Sequence, residues 1–286
     1  MNPELLDDLI RRALAEDAPW GDLTSEVFLP AETPATAVLV SREPGVLSGL
    51  DVFARTFELV DSSSVVEKIA SNGARIEPGA VLARISGTAR SVLRAERIAL
   101  NLSQRMTGIA TLTAQYVALT EGTKARIVDT RKTTPGLRML ERQAVRDGGG
   151  HNHRFSLSDA VLAKDNHLAV LAAAGIPIGD AIRAARQRLG HTAHLEVEVD
   201  RLDQIEAVVS AGVDTIMLDN FTPDQLREGV GLVAGRALVE ASGGVNLDTV
   251  AAIAQTGVAL ISVGALTHSV RALDLGLDIE VRIDSA

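Results

Sequence analysis

The sequence predicts an α/β protein whose second half is an incomplete parallel barrel, and three observations carry that prediction. From residue 124 onward one unit recurs: a short apolar strand, a polar residue at its end, then an amphipathic helix. The strand signals are RIVDT, AVLAKD, HLEVEV, DTIMLDN, RALVEAS and ALISVG, and the helices between them include IGDAIRAARQRLG, RLDQIEAVVSAG, PDQLREGVGLVAG and LDTVAAIAQTG. Successive strand ends are evenly spaced, with 21 residues from Glu198 to Asp219, 21 from Asp219 to Glu240 and 24 from Glu240 to Gly264. That spacing fits βα units joined by short loops. Six clear strands rather than eight favour an incomplete barrel over a full one, with a doubly wound open sheet as the alternative.

The first hundred residues read differently. Leu5, Leu6, Ile10 and Leu14 mark an amphipathic helix over residues 4–15, and Trp20-Gly21-Asp22-Leu23-Thr24 reads as a turn and helix cap. Residues 35–87 carry the short β signals TAVLVSR, GVLSGL, VVEKIA and VLARIS, punctuated by the turn dipeptides Asn72-Gly73 and Pro78-Gly79. NGARIEPGAVLARISG resembles the hammerhead turn of lipoyl and biotinyl carriers. Its only lysine nearby, Lys68, falls inside a strand rather than at a hairpin tip, so the role is structural. Residues 91–121 form one long helical stretch with Arg94, Arg97, Asn101, Gln104 and Arg105 near one face. The last stretch, LGLDIEVRIDSA, loses the βα repeat and is expected to return to the first domain.

Composition narrows the function. The 286 residues are long enough for two domains, and a formal charge of -9 with 2% aromatic residues argues against nucleic-acid binding. Cysteine is absent, which excludes disulfides and thiolate metal sites. The acidic start MNPELLDDLIRRALAED does not read as a secretory signal, and no apolar run of about eighteen residues occurs. The expectation is a soluble, cytoplasmic protein.

Residues 124–167 depart from this acidic background, with nine Lys/Arg against five Asp/Glu and three of the six histidines. A cationic site in an acidic chain points to a small polyanion. In HLEVEV, alternation places Glu196 and Glu198 on one face, opposite Leu195, Val197 and Val199. The apolar face must meet the helices, so both carboxylates point inward. They require lysines, a metal ion, or both beside them. Arg131, Lys132, Lys164, Glu198, Asp219, Glu240 and Ser242 would all gather at the barrel's C-terminal mouth. Ser242-Gly243-Gly244 and Val263-Gly264-Ala265 each follow a strand and offer backbone N–H groups suited to phosphate. His151 and His153 lie two apart without a third specified ligand, which disfavours a metal site there.

The blocks DTRKTTPGLR, GGGHNHR and KDNH, with AERIALNL before them and EVEV, MLDNF, SGG and VGALTHS after, resemble the quinolinate phosphoribosyltransferases in order and spacing. The resemblance implies an open-faced, hammerhead-like α/β sandwich over residues 1–106, to which residues 271–286 return. It implies a seven-stranded α/β barrel over residues 107–270. It further implies transfer of a phosphoribosyl group from phosphoribosyl pyrophosphate to quinolinate. That reaction gives nicotinate mononucleotide, pyrophosphate and CO2. On the same grounds Arg97, Arg131, His153, Arg154 and Lys164 would hold the quinolinate carboxylates, with Thr130 beside them. Lys132 would lie near the pyrophosphate or the reacting ribose carbon. Glu198 and Asp219 would hold the ribose hydroxyls and help position Mg²⁺, directly or indirectly. Arg97 would be donated across a homodimer. Two alternatives differ in chemistry: a Schiff-base aldolase using Lys164, and a paralogue linked to molybdenum transport that keeps the pocket for another ligand.

Overall fold

The computed structural model describes residues 1–280. Five strands come first: β1 (Pro34–Ser41), β2 (Gly45–Val46), β3 (Val65–Lys68), β4 (Arg75–Ile76) and β5 (Val81–Thr88). Six more follow: β6 (Arg126–Val128), β7 (Val161–Ala163), β8 (Leu195–Val199), β9 (Thr215–Asp219), β10 (Leu238–Ser242) and β11 (Leu260–Ser262). A last strand, β12 (Leu275–Glu280), closes the described chain. Two compact units result, one of residues 1–114, 134–149 and 269–280, the other of residues 115–133 and 150–268.

The first unit holds a four-stranded antiparallel sheet in the order β12-β1-β5-β3. Along β1, Ala35, Ala37 and Leu39 are buried and alternate with Thr36 and Val38. Phe53, Phe57, Leu50, Leu82, Ile85, Val92 and Ala99 fill its core. Between the β signals GVLSGL and VVEKIA the structure places a helix that the sequence reading did not assign, Leu50–Val60, and GVLSGL contributes only the two residues of β2. Leu50, Phe53 and Phe57 fall at i, i+3 and i+7, so they form the apolar stripe of a helix, which packs into the core of the sheet. Asp22 caps the helix Leu23–Phe28 by accepting from the Ser25 amide at 3.1 Å, as the Trp20–Thr24 turn suggested.

The C-terminal segment joins this unit in two ways. β12 pairs with β1 from Thr36↔Glu280 to Ser41↔Leu275. Upstream of it, the Leu273 amide donates to the Gln104 carbonyl at 3.0 Å, and Gln104 Nε2 donates to the Leu275 carbonyl at 2.7 Å. The expected return of the tail is thus seen over residues 271–280, while residues 281–286 lie outside the described residues. Segment 134–149 also packs within this unit, where buried Glu141 accepts from Arg105 Nε at 2.8 Å. Arg105 is therefore structural.

In the second unit six parallel strands run in the order β6-β11-β10-β9-β8-β7. The six strand signals of the sequence are these six strands. A seventh position is taken by a single residue, His151. Its amide donates to the Ile127 carbonyl at 2.8 Å, and its carbonyl accepts from the Asp129 amide at 3.0 Å. One residue is too short to read as a strand. β7 has no ladder on its other edge among the described residues. Instead Arg154 Nη1 donates to the carbonyl of Ala160, which directly precedes β7, at 2.9 Å. This non-ladder stretch, residues 151–160, is the seam of the barrel. The sequence reading also lacked the helix Asp165–Ala173, whose apolar run LAVLAA carries no helical stripe.

Gly108 sits on the helix Ala89–Ala118 where a Cβ would lie 2.1 Å from the Arg271 carbonyl oxygen. Backbone that close leaves no side chain to move aside. Gly108→Ala is expected to destabilise the protein by about 1–3 kcal/mol or more, which chemical denaturation of the variant would measure.

Candidate active site

Alternation inside a parallel barrel sends every second residue of each strand inward, and the polar ones fall into layers. The ladder aligns Glu198 with Met217 and Asp219 with Ser242. At the C-terminal ends a cleft of about 420 Å³ is lined by Leu162 and Lys164, Glu198, Met217 and Asp219, Ser242, and Ser262. Thr130, Arg131, Lys132, His153 and Arg154 complete it from the loop after β6 and from the seam. One layer deeper, Glu196 and Glu240 face a second cavity of about 390 Å³ towards the strands' N-terminal ends. His153 and Arg154 line both. A larger cavity of about 580 Å³ behind β7 and β8 is bounded almost wholly by aliphatic side chains of the helices Asp165–Ala173 and Ile178–Arg188. It lacks the convergent polar groups of a reactive site.

The loop bearing the cations is anchored at both ends. Fully buried Asp129 accepts from Asn152 Nδ2 at 2.6 Å and from the His153 amide at 2.7 Å. Further on, the Lys132 amide donates to Thr130 Oγ1 at 3.1 Å, and Thr267 Oγ1 donates to the Lys132 carbonyl at 2.7 Å. Lys164 Nζ lies 2.6 Å from Glu198 Oε2, so one inward carboxylate has its cation. The Lys164 amide donates to His167 Nδ1 at 2.9 Å, which makes His167 a cap for the helix it opens.

Glu196, the other carboxylate of HLEVEV, meets His153 Nε2 at 3.0 Å, with Glu240 3.6 Å from the same nitrogen. His153 Nδ1 accepts from the Arg154 amide at 2.8 Å, so the proton of the neutral ring sits on Nε2. Both ring nitrogens of a residue expected to face an anion are thus engaged within the protein. Burial opposes charge on this imidazole, but the Glu196 hydrogen bond and the charges of Glu240, Glu196 and Asp129 outweigh it and raise its pKa. Burial, reinforced by Glu196, pushes the Glu240 carboxyl up to about 8. Burial and the neighbouring Arg131 hold Arg154 below the usual guanidinium range. Two guanidinium groups close enough to repel each other, lining one cleft, favour an anion between them.

Arg131, Lys132, Lys164, Glu198, Asp219 and Ser242 therefore line one cleft, together with Thr130, His153 and Arg154, which the family resemblance implied. Glu240, expected with them at the mouth, lines the deeper cavity instead, because it sits two residues before the end of its strand. Of the two glycine loops, Ser242 lines the cleft, whereas Gly243, Gly244, Val263, Gly264 and Ala265 do not, and Val263 is fully buried. The helices beyond them are short: Val250–Ala254 begins well after Gly244, and Ala265–His268 spans four residues. Gly243 is nonetheless irreplaceable. Its φ is +91°, and a Cβ there would lie 2.1 Å from Asn220 Oδ1 and 2.8 Å from the Asn220 amide nitrogen. Arg97 is exposed on the helix Ala89–Ala118 in the first unit and is not among the residues lining the cleft. Sequence reasoning missed Leu162, Met217 and Ser262. The first two lie two residues before Lys164 and Asp219, where same-face alternation would have found them.

Polar residues from several strand ends, converging on the C-terminal face of an incomplete α/β barrel, define a two-unit α/β enzyme. The sequence matches the family description "Quinolinate phosphoribosyl transferase, N-terminal domain" over residues 22–107 and "Quinolinate phosphoribosyl transferase, C-terminal domain" over residues 109–278. The chain belongs to the quinolinate phosphoribosyltransferase family. It is 45% identical to the nicotinate-nucleotide pyrophosphorylase [carboxylating] of Mycobacterium leprae, over 95% of this chain and 96% of that protein. It is 40% identical to a probable enzyme of that name from Bacillus subtilis, over 100% and 97% respectively. The crystal structure of NadC from Streptococcus pyogenes superposes with a TM-score of 0.94 at 38% identity, covering 99% of each chain.

The pH dependence of stability follows from Glu240. In the unfolded chain its carboxyl ionises near 4.5, whereas in the folded protein it keeps its proton to about 8. Between these values the folded state binds more protons, so this residue makes stability fall as pH rises from 4.5 to 8 and level off above. Glu240→Gln removes the ionisation while keeping the shape. Its stability relative to the unaltered protein should rise across that window, and denaturant unfolding at pH 5, 7 and 8.5 would measure it. A constant difference would show that Glu240 does not titrate in this way.

Proposed function

We infer that this protein is a nicotinate-nucleotide pyrophosphorylase that joins quinolinate to the ribosyl group of phosphoribosyl pyrophosphate, with loss of CO2. The observation that carries this reading is one cleft holding Arg131, Lys132, Arg154 and Lys164 together with Glu198 and Asp219. Quinolinate offers two carboxylates to the cations, and arginine's planar fork meets such groups with paired hydrogen bonds. The ribose hydroxyls suit carboxylate acceptors. As the pyridine nitrogen attacks the ribose carbon and pyrophosphate departs, the ribose gains positive charge, which Glu198 and Asp219 stabilise electrostatically. Lys132 neutralises the departing pyrophosphate. The cationic end holds the ring in line for attack, the carboxylate beside its nitrogen then leaves as CO2, and the ring carbon that keeps the bonding pair takes a proton from water.

The donor set fits Mg²⁺ as cofactor. Glu198 and Asp219 are hard oxygen ligands, and Mg²⁺ takes few protein carboxylates with substrate oxygens. When bound it would balance charge on the pyrophosphate. A Schiff base at Lys164 is less well supported, because Glu198 at 2.6 Å holds that side chain as the ammonium half of an ion pair. The resemblance also supports a cytoplasmic homodimer in which Arg97, exposed on its helix, completes the partner's acceptor site. No single helix among the described residues is long and apolar enough to cross a membrane.

With Mg²⁺ and phosphoribosyl pyrophosphate, quinolinate should yield nicotinate mononucleotide and nicotinate should not. Arg154→Ala should raise KM for quinolinate roughly a hundredfold, the equivalent of about 3 kcal/mol for a partly buried charge-assisted contact, with little change in KM for phosphoribosyl pyrophosphate. Product from nicotinate alone would overturn the assignment of acceptor. For the dimer, mixing an Arg97→Ala chain with a Glu198→Ala chain should restore activity that neither has alone. Absence of restoration in a proven mixed dimer would count against a shared site.

A further inference from the structure

Two carboxylates lie beneath the cleft without touching it. Glu196 and Glu240 are 3% and 1% exposed, and each has an Oε1 atom that is buried with no hydrogen-bond partner. Both point at His153 Nε2. That ring is held at both nitrogens, by Glu196 at Nε2 and by the Arg154 amide at Nδ1, while the His153 backbone amide donates to Asp129. A ring so fixed has little freedom to turn a nitrogen into the cleft. What it does reach is the backbone of Arg154, whose side chain closes the seam through the Ala160 carbonyl and also lines the cleft.

We propose that Glu196 and Glu240 are positioning residues that act through His153 to aim the Arg154 guanidinium at the acceptor's carboxylate. This rests on the acceptor reading given above and extends it to residues outside the cleft. Within the seam no β-ladder fixes residues 152–160, so side chains must do it. Glu196 accepts a hydrogen bond from Nε2–H, which selects one tautomer. That tautomer leaves Nδ1 free to accept the Arg154 amide, which fixes the backbone from which the guanidinium extends. Glu240 serves as a neutral acid: its proton spares the pair a second buried negative charge and can be given to the unpartnered Glu196 oxygen.

The same three residues present ligand atoms within 4.8 Å of one another, a spacing that would also suit a divalent ion. The surrounding charge favours the positioning role. Arg154, already held below its usual range by burial and by Arg131, would face a further dication.

The test separates these roles by their asymmetry. In Glu196→Gln the charge is lost, and KM for quinolinate should rise at least tenfold while KM for phosphoribosyl pyrophosphate stays within about twofold. Glu240→Leu, which can neither donate nor accept, should do the same. Glu240→Gln reproduces the shape and donor of a protonated carboxyl and should rescue KM to within about threefold of the unaltered enzyme. Equal damage from Glu240→Gln and Glu240→Leu would overturn the proposal, as would an effect confined to kcat or to phosphoribosyl pyrophosphate. Stoichiometric binding of Zn²⁺ or Mn²⁺ that Glu240→Gln abolishes would overturn it in favour of a metal centre.

A second measurement needs no activity and so survives failure of the acceptor reading. Nitrogen-15 NMR of the histidines should show His153 as the Nε2-protonated tautomer at pH 8.5, with Glu196→Gln loosening that preference. An Nδ1-protonated or freely exchanging ring would overturn the arrangement. If the unaltered protein gives no nicotinate mononucleotide yet shows the fixed tautomer, the acceptor reading fails and the internal arrangement stands.

Discussion

A carboxylate inside a barrel must be matched by a proton or a cation, and the second unit is arranged around that requirement. Two strands, β8 and β10, bring Glu196, Glu198 and Glu240 inward, all less than a tenth exposed. Burying three unmatched charges would cost many kcal/mol each. Each is answered differently: Glu198 by Lys164, Glu196 by the His153 Nε2–H, and Glu240 by retaining its own proton. These answers stack along the strands, with the ion pair at the cleft and the proton-sharing group a layer below. The charge that lines the cleft and the charge buried beneath it are therefore parts of one system. Removing a single member leaves its partner buried and unanswered.

The seam is the second consequence of an incomplete barrel. A closed barrel would satisfy each strand edge with the next strand. Here, among the described residues, the edge of β6 is met by His151 alone, and Arg154 reaches to Ala160 before β7. Backbone freed from a ladder can carry side chains that a ladder would have turned towards the helices. Asp129, His153 and Arg154 use that freedom to fix the loop and to present a guanidinium beside Arg131. The cleft thus owes its cationic end to the place where the sheet stops.

In the first unit the limiting requirement is steric rather than electrostatic. Gly108 meets the Arg271 carbonyl, and at Gly148 a Cβ would lie 2.4 Å from the Ala110 carbonyl oxygen. Both are places where backbone meets backbone within the unit, one bringing in the C-terminal segment and the other the end of the helix Arg138–Asp147. Glu141, buried and bound by Arg105, adds a polar tie to the same segment. Chain segments far apart in sequence are joined by small residues where they touch closely and by charge where they do not.

What the sequence determined by itself was whatever a period of two, a helical repeat or a motif spacing can encode. The six barrel strands, the inward direction of Glu196 and Glu198, and the gathering of Arg131, Lys132, Lys164, Asp219 and Ser242 were all legible, because alternation along a strand is local. What the tertiary structure decided depended on partners supplied by other strands. The helix Leu50–Val60, left unassigned between the β signals GVLSGL and VVEKIA, formed because the sheet of its own unit covers its apolar stripe. His151 became a strand position through two hydrogen bonds to β6, which no pattern around one residue reveals. The sharpest case is His153. The family resemblance implied an anion-facing side chain, yet both ring nitrogens turn to groups within the protein, because Glu196 and Glu240 reach it only when the sheet brings β8 and β10 together with the segment that carries it. Local pattern chose which residues would face inward; only closure of the sheet chose which of them would meet.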